Sequence, residues 1–477
     1  MKNTSLQQTE KKPPKTNPDL LSEQRKIAGL IQTYERLLQA DPDNASAWVG
    51  LGTILQRTGR DNTALACVNR ALEISPDKPS FLSQRGYCLA ALDRMDEALE
   101  AHAAALRLEP GSFMIRANYA LALSVFDRHE EALALFESLC AMQPENSDMQ
   151  LYRAVAYLHL ARFKEGWEAF ECRWKYGKMK ERKYAAPRWR GEDLAGKTIL
   201  VYKEQGFGDT ILCARYIPLV KARGGRVILE CQGGLHRLFR SIPGIDKMVD
   251  RQQLKMVERQ QLDESFDCHI PVMSLPGIFG TNLNSIPPLP DLNIPAAPPP
   301  EAARLLNLGK NRFKVGIVWS GSQKHATNRK RSAHLRRFLP LAEIPGVQLY
   351  SLQKGPPEKD LLRCGGRGLI LELGPHVNDF ADTAAVLRNL DLVIMTDSSV
   401  AHLAGSIGCP IWNLLHYHPY WLYLSKREDC PWYPSMRLIR QPKPGDWDSV
   451  FAKTAAELKK AVELKKAGQW ANVIGAA

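Results

Sequence analysis

Two short loops in the sequence hold residue types that suit proton transfer and anion binding. The first loop follows a short apolar run and contains Gln205, Gly206, Gly208 and Asp209. Its two glycines allow the backbone to approach a ligand, and Asp209 lies at the start of a helical pattern. A carboxylate in that place can accept a proton from a substrate hydroxyl, or it can only cap its helix. The first loop therefore predicts either a general base or a helix cap.

The second loop is Asp397-Ser398-Ser399, and His402 lies one helical turn further along the chain. It also follows an apolar run and opens a helical pattern, so hydroxyl and backbone N–H groups meet at a helix N-terminus. Such a terminus binds anions, and a diphosphate suits it. His402 either faces the same pocket or is a hydrogen-bonded histidine of the core. We therefore expect an anion site in this loop.

A third loop adds cations to these two. Ser320 and Gly321 follow another apolar run, and Lys330 and Arg331 belong to the basic run that comes after them. The planar guanidinium of arginine suits bidentate contact with phosphate. A basic run can equally be a solvated face, so this segment predicts phosphate contacts only in combination with the other two loops.

The elements that position these loops are predicted as alternating strands and helices. Seven apolar runs are predicted as strands: 198–202, 226–231, 314–319, 347–352, 369–373, 392–396 and 411–415. A proline-dense stretch at 284–300 predicts a stiff linker after the first two runs. Two doubly wound α/β domains joined by such a linker form a cleft at the carboxyl ends of their strands. All three loops are expected to border that cleft.

The first third of the chain has a helical periodicity instead. Small residues recur in phase with four prolines that lie 34 residues apart: Pro42, Pro76, Pro110 and Pro144. Small residues let paired helices approach closely, and the pattern resembles the tetratricopeptide repeat. A looser fourth copy covers 148–175, and a half repeat at 21–40 is expected to cap the front. Such arrays bind peptides or protein elements and rarely carry chemistry.

Length and composition agree with three ordered parts. The chain has 477 residues and a formal net charge of +13, and this length predicts about three domains. We expect a disordered tail at 1–20, repeats at 21–180, and α/β domains at 181–297 and 298–477, whose last helix could cross back. Ten cysteines include no Cys-x-x-Cys pair, which argues against zinc ribbons and disulfide frameworks.

The same composition bears on location and partners. The N-terminus lacks the apolar run of a signal peptide, and no stretch approaches the ~18 apolar residues of a membrane span. The basic residues are not interleaved with aromatics as in nucleic-acid-binding stripes. We therefore expect a cytoplasmic protein with no nucleic-acid partner and no transmembrane segment, while the positive charge leaves peripheral membrane association open.

Taken together, the loops resemble those of a known family. Gly208-Asp209, Asp397-Ser398-Ser399 with His402, and Gly408-Cys409-Pro410 are similar to motifs of the heptosyltransferase-like glycosyltransferases, family 9. From about residue 21 onward, the chain looks closer still to bacterial proteins in which tetratricopeptide repeats are fused to such a domain. Further motifs of this resemblance are Gly166-Trp167, Arg173-Trp174, Trp189, Ser351-Leu352-Gln353, Asp382-Thr383-Ala384, Pro431-Trp432-Tyr433-Pro434, Arg440-Gln441 and Asp446-Trp447.

The resemblance implies a GT-B glycosyltransferase built of two Rossmann-like α/β domains after the repeat solenoid. The first domain would take a protein or glycan acceptor beside Gln205, Gly206 and Gly208, with Asp209 as general base of an inverting transfer. The second would bind a nucleotide-sugar as co-substrate, without a metal or another cofactor, and Lys330 or Arg331 would replace the family's phosphate-binding lysine. The donor-side residues expected from the resemblance are Ser320, Gly321, Lys330, Arg331, Gln353, Asp397, Ser398, Ser399 and His402.

Two alternatives to this enzyme remain open. The chain could be a protein-binding scaffold with a degenerate transferase-like domain, or a repeat-containing enzyme like the O-linked N-acetylglucosamine transferases, which lack these motifs. Two metal-like patterns are expected to be structural: Asp446-Trp447-Asp448 as a helix cap, and His416-x-His418 as a pair without further ligands. Trp167 and Trp174 are expected to pack the last repeat against the α/β region.

Overall fold

The structure is a computed structural model that describes residues 18–175, 181–250, 265–323 and 327–470. The tail predicted at 1–20 lies outside these residues except for its last positions, which begin a helix. The chain divides into two compact units, Met1–Ala122 and Leu123–Ala477. The second unit therefore holds the last repeat helices together with the whole α/β region.

The N-terminal region is helical with the predicted period. Its helices are α1 (Pro18–Ala40), α2 (Ala45–Arg57), α3 (Asp61–Ile74), α4 (Pro79–Ala91), α5 (Met95–Leu108), α6 (Phe113–Val125), α7 (His129–Met142), α8 (Ser147–His159) and α9 (Phe163–Phe170). Helices α2, α4, α6 and α8 begin 34 residues apart, and so do α3, α5, α7 and α9. The helix–turn–helix periodicity is confirmed, and the looser fourth copy is present as α8 and α9.

The turn inside each repeat needs a left-handed backbone. Gly59, Asp93, Asp127 and Ala161 occupy this position, with φ between 57° and 76°. Glycine adopts such angles freely, and aspartate tolerates them better than most side chains do. The turn therefore recurs at the same place in every repeat, and it reverses the chain between the two helices.

The α/β region alternates strands with short helices. Its elements are β1 (Thr198–Tyr202), α10 (Phe207–Cys213), α11 (Ile217–Lys221), β2 (Arg226–Glu230), α12 (His236–Phe239), β3 (Lys247–Val249), β4 (Cys268–Pro271), α13 (Leu275–Ile278), α14 (Pro300–Leu308), β5 (Phe313–Val318), α15 (Asn328–Arg331), β6 (Val347–Ser351), α16 (Asp360–Arg363), β7 (Ile370–Glu372), α17 (Phe380–Leu387), β8 (Leu392–Thr396), α18 (Ser399–Ser406), β9 (Ile411–Leu415), β10 (Met436–Arg440) and α19 (Trp447–Lys466). Among the described residues, no helix is long and apolar enough to cross a bilayer.

The strands form two parallel sheets, with the orders β3-β2-β1-β4 and β10-β9-β8-β5-β6-β7. In the first, Ile199 pairs with Val227 and with Cys268; in the second, Val315 pairs with Leu392. Strands β8 and β9 are buried along their whole length, as expected for parallel strands covered on both faces. The two-sheet α/β architecture therefore agrees with the prediction at this coarser level.

Three strands were not predicted, and each has a local reason. Strand β3 has three residues, β4 contains a histidine and a proline, and β10 has two arginines at an edge of its sheet. None of these is a continuous apolar run. The last helix, α19, packs Val450 and Leu458 into the same core as β5 of the second sheet.

Candidate functional site

The structure brings the first and second loops into direct contact. Gly208, in the first turn of α10, lies against the ring of His402 in α18. A Cβ atom on Gly208 would be 2.7 Å from Cδ2 and 2.9 Å from Nε2 of that ring, so glycine alone fits without a shift. The loops that follow β1 and β8 thus meet, and the predicted acceptor and donor sides adjoin each other.

Asp209 receives one hydrogen bond at each carboxylate oxygen. The backbone N–H of Gly206 donates to Oδ2 at 2.9 Å, and the hydroxyl of Tyr420 donates to Oδ1 at 3.2 Å. Burial raises the pKa of Asp209 to about 6, although both hydrogen bonds favour its charged form. The bond from Gly206 caps α10, and a pKa near neutrality suits a general base. The cap and base interpretations of Asp209 are therefore compatible.

His402 is a buried, neutral ring. Its Nδ1 lies 3.0 Å from the hydroxyl of Tyr433, and burial lowers the pKa of His402 to about 4. A neutral imidazole can donate an N–H to a phosphate but brings no positive charge to it. The ring of His402 contacts Gly208 and Tyr433, so it packs α18 against α10. Donor binding by His402 stays a prediction.

The N-terminus of α18 is formed by two partly exposed serines. Ser398 precedes the helix, and its hydroxyl accepts the N–H of Val400 at 3.4 Å. Ser399 is the first residue of the eight-residue helix. Hydroxyl groups and N–H groups at such a terminus can hold an anion. The structure therefore places this candidate anion site beside the loop that carries Asp209.

Asp397 makes its contacts within the protein. The hydroxyl of Tyr423 donates to Oδ1 at 2.6 Å, and Oδ2 lies 3.6 Å from Nη1 of Arg331. Both charged side chains are largely buried. A guanidinium has five donors, so Arg331 can hold Asp397 and an anion at the same time. Asp397 is thus in place to orient Arg331, whereas its own contact with a donor stays a prediction.

The loop after β5 is organised by Gln353. Its Oε1 accepts the N–H groups of Trp319 at 3.2 Å and Ser320 at 3.0 Å, and its Nε2 donates to the carbonyl oxygen of Ser320 at 3.0 Å. The hydroxyl of Ser320 in turn accepts Nδ2 of Asn328 at 3.2 Å. Gln353 therefore holds the loop through both ends of its amide.

The absence of a side chain at Gly321 makes room for Arg331. A Cβ atom there would lie 2.6 Å from Nη2 of the guanidinium. The neighbouring Lys330 is exposed. Arg331, one of the two residues predicted as the phosphate-binding cation, lies against the loops of the site through Gly321 and Asp397.

A buried ion pair anchors the first loop. Glu204 accepts Nε of Arg173 at 2.7 Å and the backbone N–H of Met273 at 2.8 Å. The side chains of Arg173 and Glu204 are 1% and 2% exposed. Gln205 follows directly, and its carbonyl oxygen accepts Nε2 of Gln232 at 3.4 Å. The position of the loop therefore depends on Arg173, in the segment just after the last repeat.

Sequence reasoning missed the side chains that join the two sheets. Tyr420 and Tyr433 contact Asp209 and His402, and the buried Arg215 donates to the carbonyl oxygen of Trp432 at 3.0 Å, 217 residues away. The segment around Trp432 was recognised only as part of the resemblance. No periodicity or spacing could have paired it with α10.

Two structural interpretations are confirmed. Asp446 caps α19 by accepting the N–H of Ser449 at 3.0 Å, as predicted for the Asp-x-Asp pattern. Trp167 donates to the carbonyl oxygen of Thr281 at 2.9 Å, and its ring meets that of Trp421 edge-on. The last repeat therefore packs against the α/β region through Trp167.

Comparisons with known proteins support the prediction of tetratricopeptide repeats in the N-terminal region. Two family models, each described as a tetratricopeptide repeat, match residues 23–83 and 116–171. The N-terminal region thus consists of tetratricopeptide repeats, and a region of parallel sheets and helices follows it.

Similar proteins span only parts of this molecule. Protein FlbA of Caulobacter vibrioides is 29% identical over 338 residues, which make up 65% of this chain and 55% of FlbA, so the chain spans about half the length of this relative. The solved structure of a thermophilic repeat protein from Thermus thermophilus is 17% identical, with a TM-score of 0.29, over 33% of this chain and 86% of its own. The repeat protein YrrB, described as having an unusual peptide-binding site, is 20% identical, with a TM-score of 0.27, over 33% of this chain and 81% of YrrB.

Proposed function

We propose that this protein is a glycosyltransferase of the GT-B type, acting in the cytoplasm on an acceptor recruited by its repeats. The observation that carries the proposal is the contact between Gly208 and His402. It brings a carboxylate with a pKa of about 6, that of Asp209, to the N-terminus of α18. A general base close to an anion site is what an inverting transfer from a nucleotide-sugar needs, and this proximity supports the proposal.

The proposed reaction is one in-line displacement. The acceptor oxygen attacks the anomeric carbon of the donor as its proton passes to a carboxylate oxygen of Asp209. The bond to the nucleoside diphosphate breaks on the opposite face, and the diphosphate leaves with the bonding electrons. The N–H groups of α18 and the guanidinium of Arg331 stabilise the charge that develops there. This arrangement supplies charge stabilisation from the protein itself and inverts the anomeric centre.

A binding screen tests the donor side first. The full chain is melted in the presence of ADP-, UDP-, GDP-, CMP- and dTDP-sugars, without added divalent cations, and one of them is expected to raise the melting temperature. Calorimetry then compares the wild type with Ser399→Ala. A hydroxyl bonded to a charged diphosphate contributes about 1.5–3 kcal/mol, so the affinity should fall roughly 10- to 150-fold.

Ser406→Ala is the matched control, because Ser406 lies at the opposite end of α18. It should leave the affinity unchanged. If no nucleotide-sugar binds, or if both serine variants bind as well as the wild type, the anion site is wrong.

The second candidate is a protein-binding scaffold. It is favoured by Gln353 and Asp397, whose polar atoms already contact protein groups. A groove of about 320 Å³ on α7, lined by Glu130, Leu133 and Glu137, also suits a peptide partner. A scaffold would bind such a partner and turn over no donor, and so the transfer rate separates it from the enzyme.

A further inference from the structure

Three histidines from distant parts of the chain meet in the second compact unit. His129 opens α7, His159 closes α8, and His418 follows β9. The rings of His129 and His159 stack with centroids 4.0 Å apart, and the ring of His418 lies 5.6 and 5.3 Å from them. His129 and His159 are 0% and 3% exposed.

One nitrogen of each ring lacks a hydrogen bond. The Nδ1 atoms of His129, His159 and His418 are buried and have no hydrogen-bond partner in the part of the chain that the structure describes. Buried polar atoms in proteins nearly always have a hydrogen-bond partner, because an atom without one does not recover the free energy lost on leaving water. A single cation would satisfy one nitrogen of each ring at once, since one ligand atom from each residue lies within 4.8 Å of the others.

A carboxylate lies beside the cluster. Asp127 Oδ1 lies 3.3 Å from Nε2 of His129 and accepts the hydroxyl of Ser425 at 2.8 Å. Asp127 occupies the left-handed turn of its repeat, with φ of 60°. The repeat turn therefore fixes the positions of Asp127 and His129, and the negative charge of Asp127 suits a cation.

We propose that His129, His159 and His418 form a site for a divalent transition metal of the zinc type, and that Asp127 orients the ring of His129 from outside the ligand set. Three imidazoles are a ligand set that Zn²⁺ accepts in tetrahedral geometry, with the fourth position left to a non-protein ligand. Zn–N bonds of about 2.0–2.1 Å place such nitrogens about 3.4 Å apart, so separations of up to 4.8 Å would shorten by about 1.4 Å, and the stacked rings of His129 and His159 would turn until their in-plane lone pairs meet at the ion.

Sequence spacing could not reveal this site. His416-x-His418 is a short pair without nearby ligands, and the partners of His418 come from repeat helices more than 250 residues earlier. Bound metal would tie α7 and α8 to the loop after β9. That loop carries Tyr420, so the metal would steady the hydrogen bond to Asp209 without touching substrate.

The test uses the full chain, freed of metal by dialysis against a chelator. Calorimetric titration with Zn²⁺ should show one equivalent bound, Co²⁺ should give the visible absorption bands of tetrahedral coordination, and bound Zn²⁺ should raise the melting temperature. His159→Phe keeps the ring stack and should abolish stoichiometric binding. Asp127→Asn, which tolerates the left-handed turn, should weaken binding roughly 10- to 100-fold.

The matched control is His102→Phe. His102 is 1% exposed, and both of its ring nitrogens are buried with no hydrogen-bond partner among the described residues, but it lies in α5, outside the cluster. This variant should bind Zn²⁺ like the wild type. The proposal is overturned if the wild type binds no equivalent of metal, or if both His159→Phe and Asp127→Asn bind as tightly as the wild type.

Discussion

At the scale of single residues, the account rests on the environment of Asp209. Burial raises the pKa of Asp209 to about 6, so below that pH the carboxyl is protonated and cannot act as a base. We expect kcat/KM to fall about tenfold per pH unit below pH 6 and to level off above it. Tyr420→Phe removes a hydrogen bond that lowers this pKa, and the acid limb should move up by about one pH unit.

The phenylalanine variant keeps the ring that packs against Trp421, 5.1 Å away between centroids. A structural disturbance in the variant would change kcat/KM at every pH, whereas loss of the hydrogen bond shifts the acid limb of the pH profile of kcat/KM. An identical acid limb in wild type and Tyr420→Phe would remove Asp209 as the titrating base.

The same pKa predicts how stability depends on pH. The folded value of about 6 lies above the usual 3.8, so the folded protein binds more protons than the unfolded chain between these values. The contribution of Asp209 is therefore favourable below about pH 4 and is lost as the pH rises to about 6. The Asp209→Asn variant has no carboxyl group to ionise at this position, so its free energy of unfolding at pH 7.5 should be at least as large as that of the wild type. Urea unfolding of both proteins at pH 4.5 and 7.5 measures this. A variant that loses stability relative to wild type as the pH rises would contradict this sign.

At the scale of elements, the contact between α10 and α18 decides whether the site forms. Gly208→Ala would place its Cβ 2.7 Å from the ring of His402 and push the helices apart. We expect a loss of about 1–3 kcal/mol in stability and roughly a 100-fold drop in turnover. Gly368→Ala is the control, since a Cβ there would meet no atom of the described residues within 4 Å. Equal turnover in the two variants would show that the contact has no role.

Sequence patterns predicted the elements better than their contacts. The repeats were predictable because each helix pair packs locally, at a period that Pro42 and Pro76 already mark. The loops with Asp209 and Ser399 were predictable because they follow apolar strands. Tyr420, Tyr433 and Arg215 were missed, because the contacts that place them join segments far apart in sequence.

At the scale of the whole molecule, the repeats and the site are joined through Arg173 and Glu204. Glu204→Gln removes one carboxylate from the buried guanidinium of Arg173, which keeps Oε1 of Glu171 at 3.0 Å from Nη1, so the change should cost about 1.5–3 kcal/mol of unfolding free energy. Glu181→Gln breaks an exposed pair with Arg188 and should cost less than about 1 kcal/mol. Urea unfolding of both variants measures the difference. Similar small losses would show that Arg173 does not anchor the site loop.

The division into compact units also departs from what periodicity suggests. The repeat pattern continues to about residue 175, yet the second unit begins at Leu123. Trp167 and Arg173 explain this, because both side chains bind groups of the α/β region. The repeat pattern shows where helices lie, but long-range contacts of these kinds decide which helices belong to one compact body.

The most direct test of the transferase proposal measures Asp209→Asn and wild type side by side. Asparagine can still accept the N–H of Gly206 and cap α10, so the fold and donor affinity should be unchanged. With the donor identified by the binding screen, release of nucleoside diphosphate should fall roughly 100- to 10,000-fold, because an amide cannot take the acceptor's proton. A well-folded Asp209→Asn protein that binds donor and transfers sugar at nearly the wild-type rate would contradict the account.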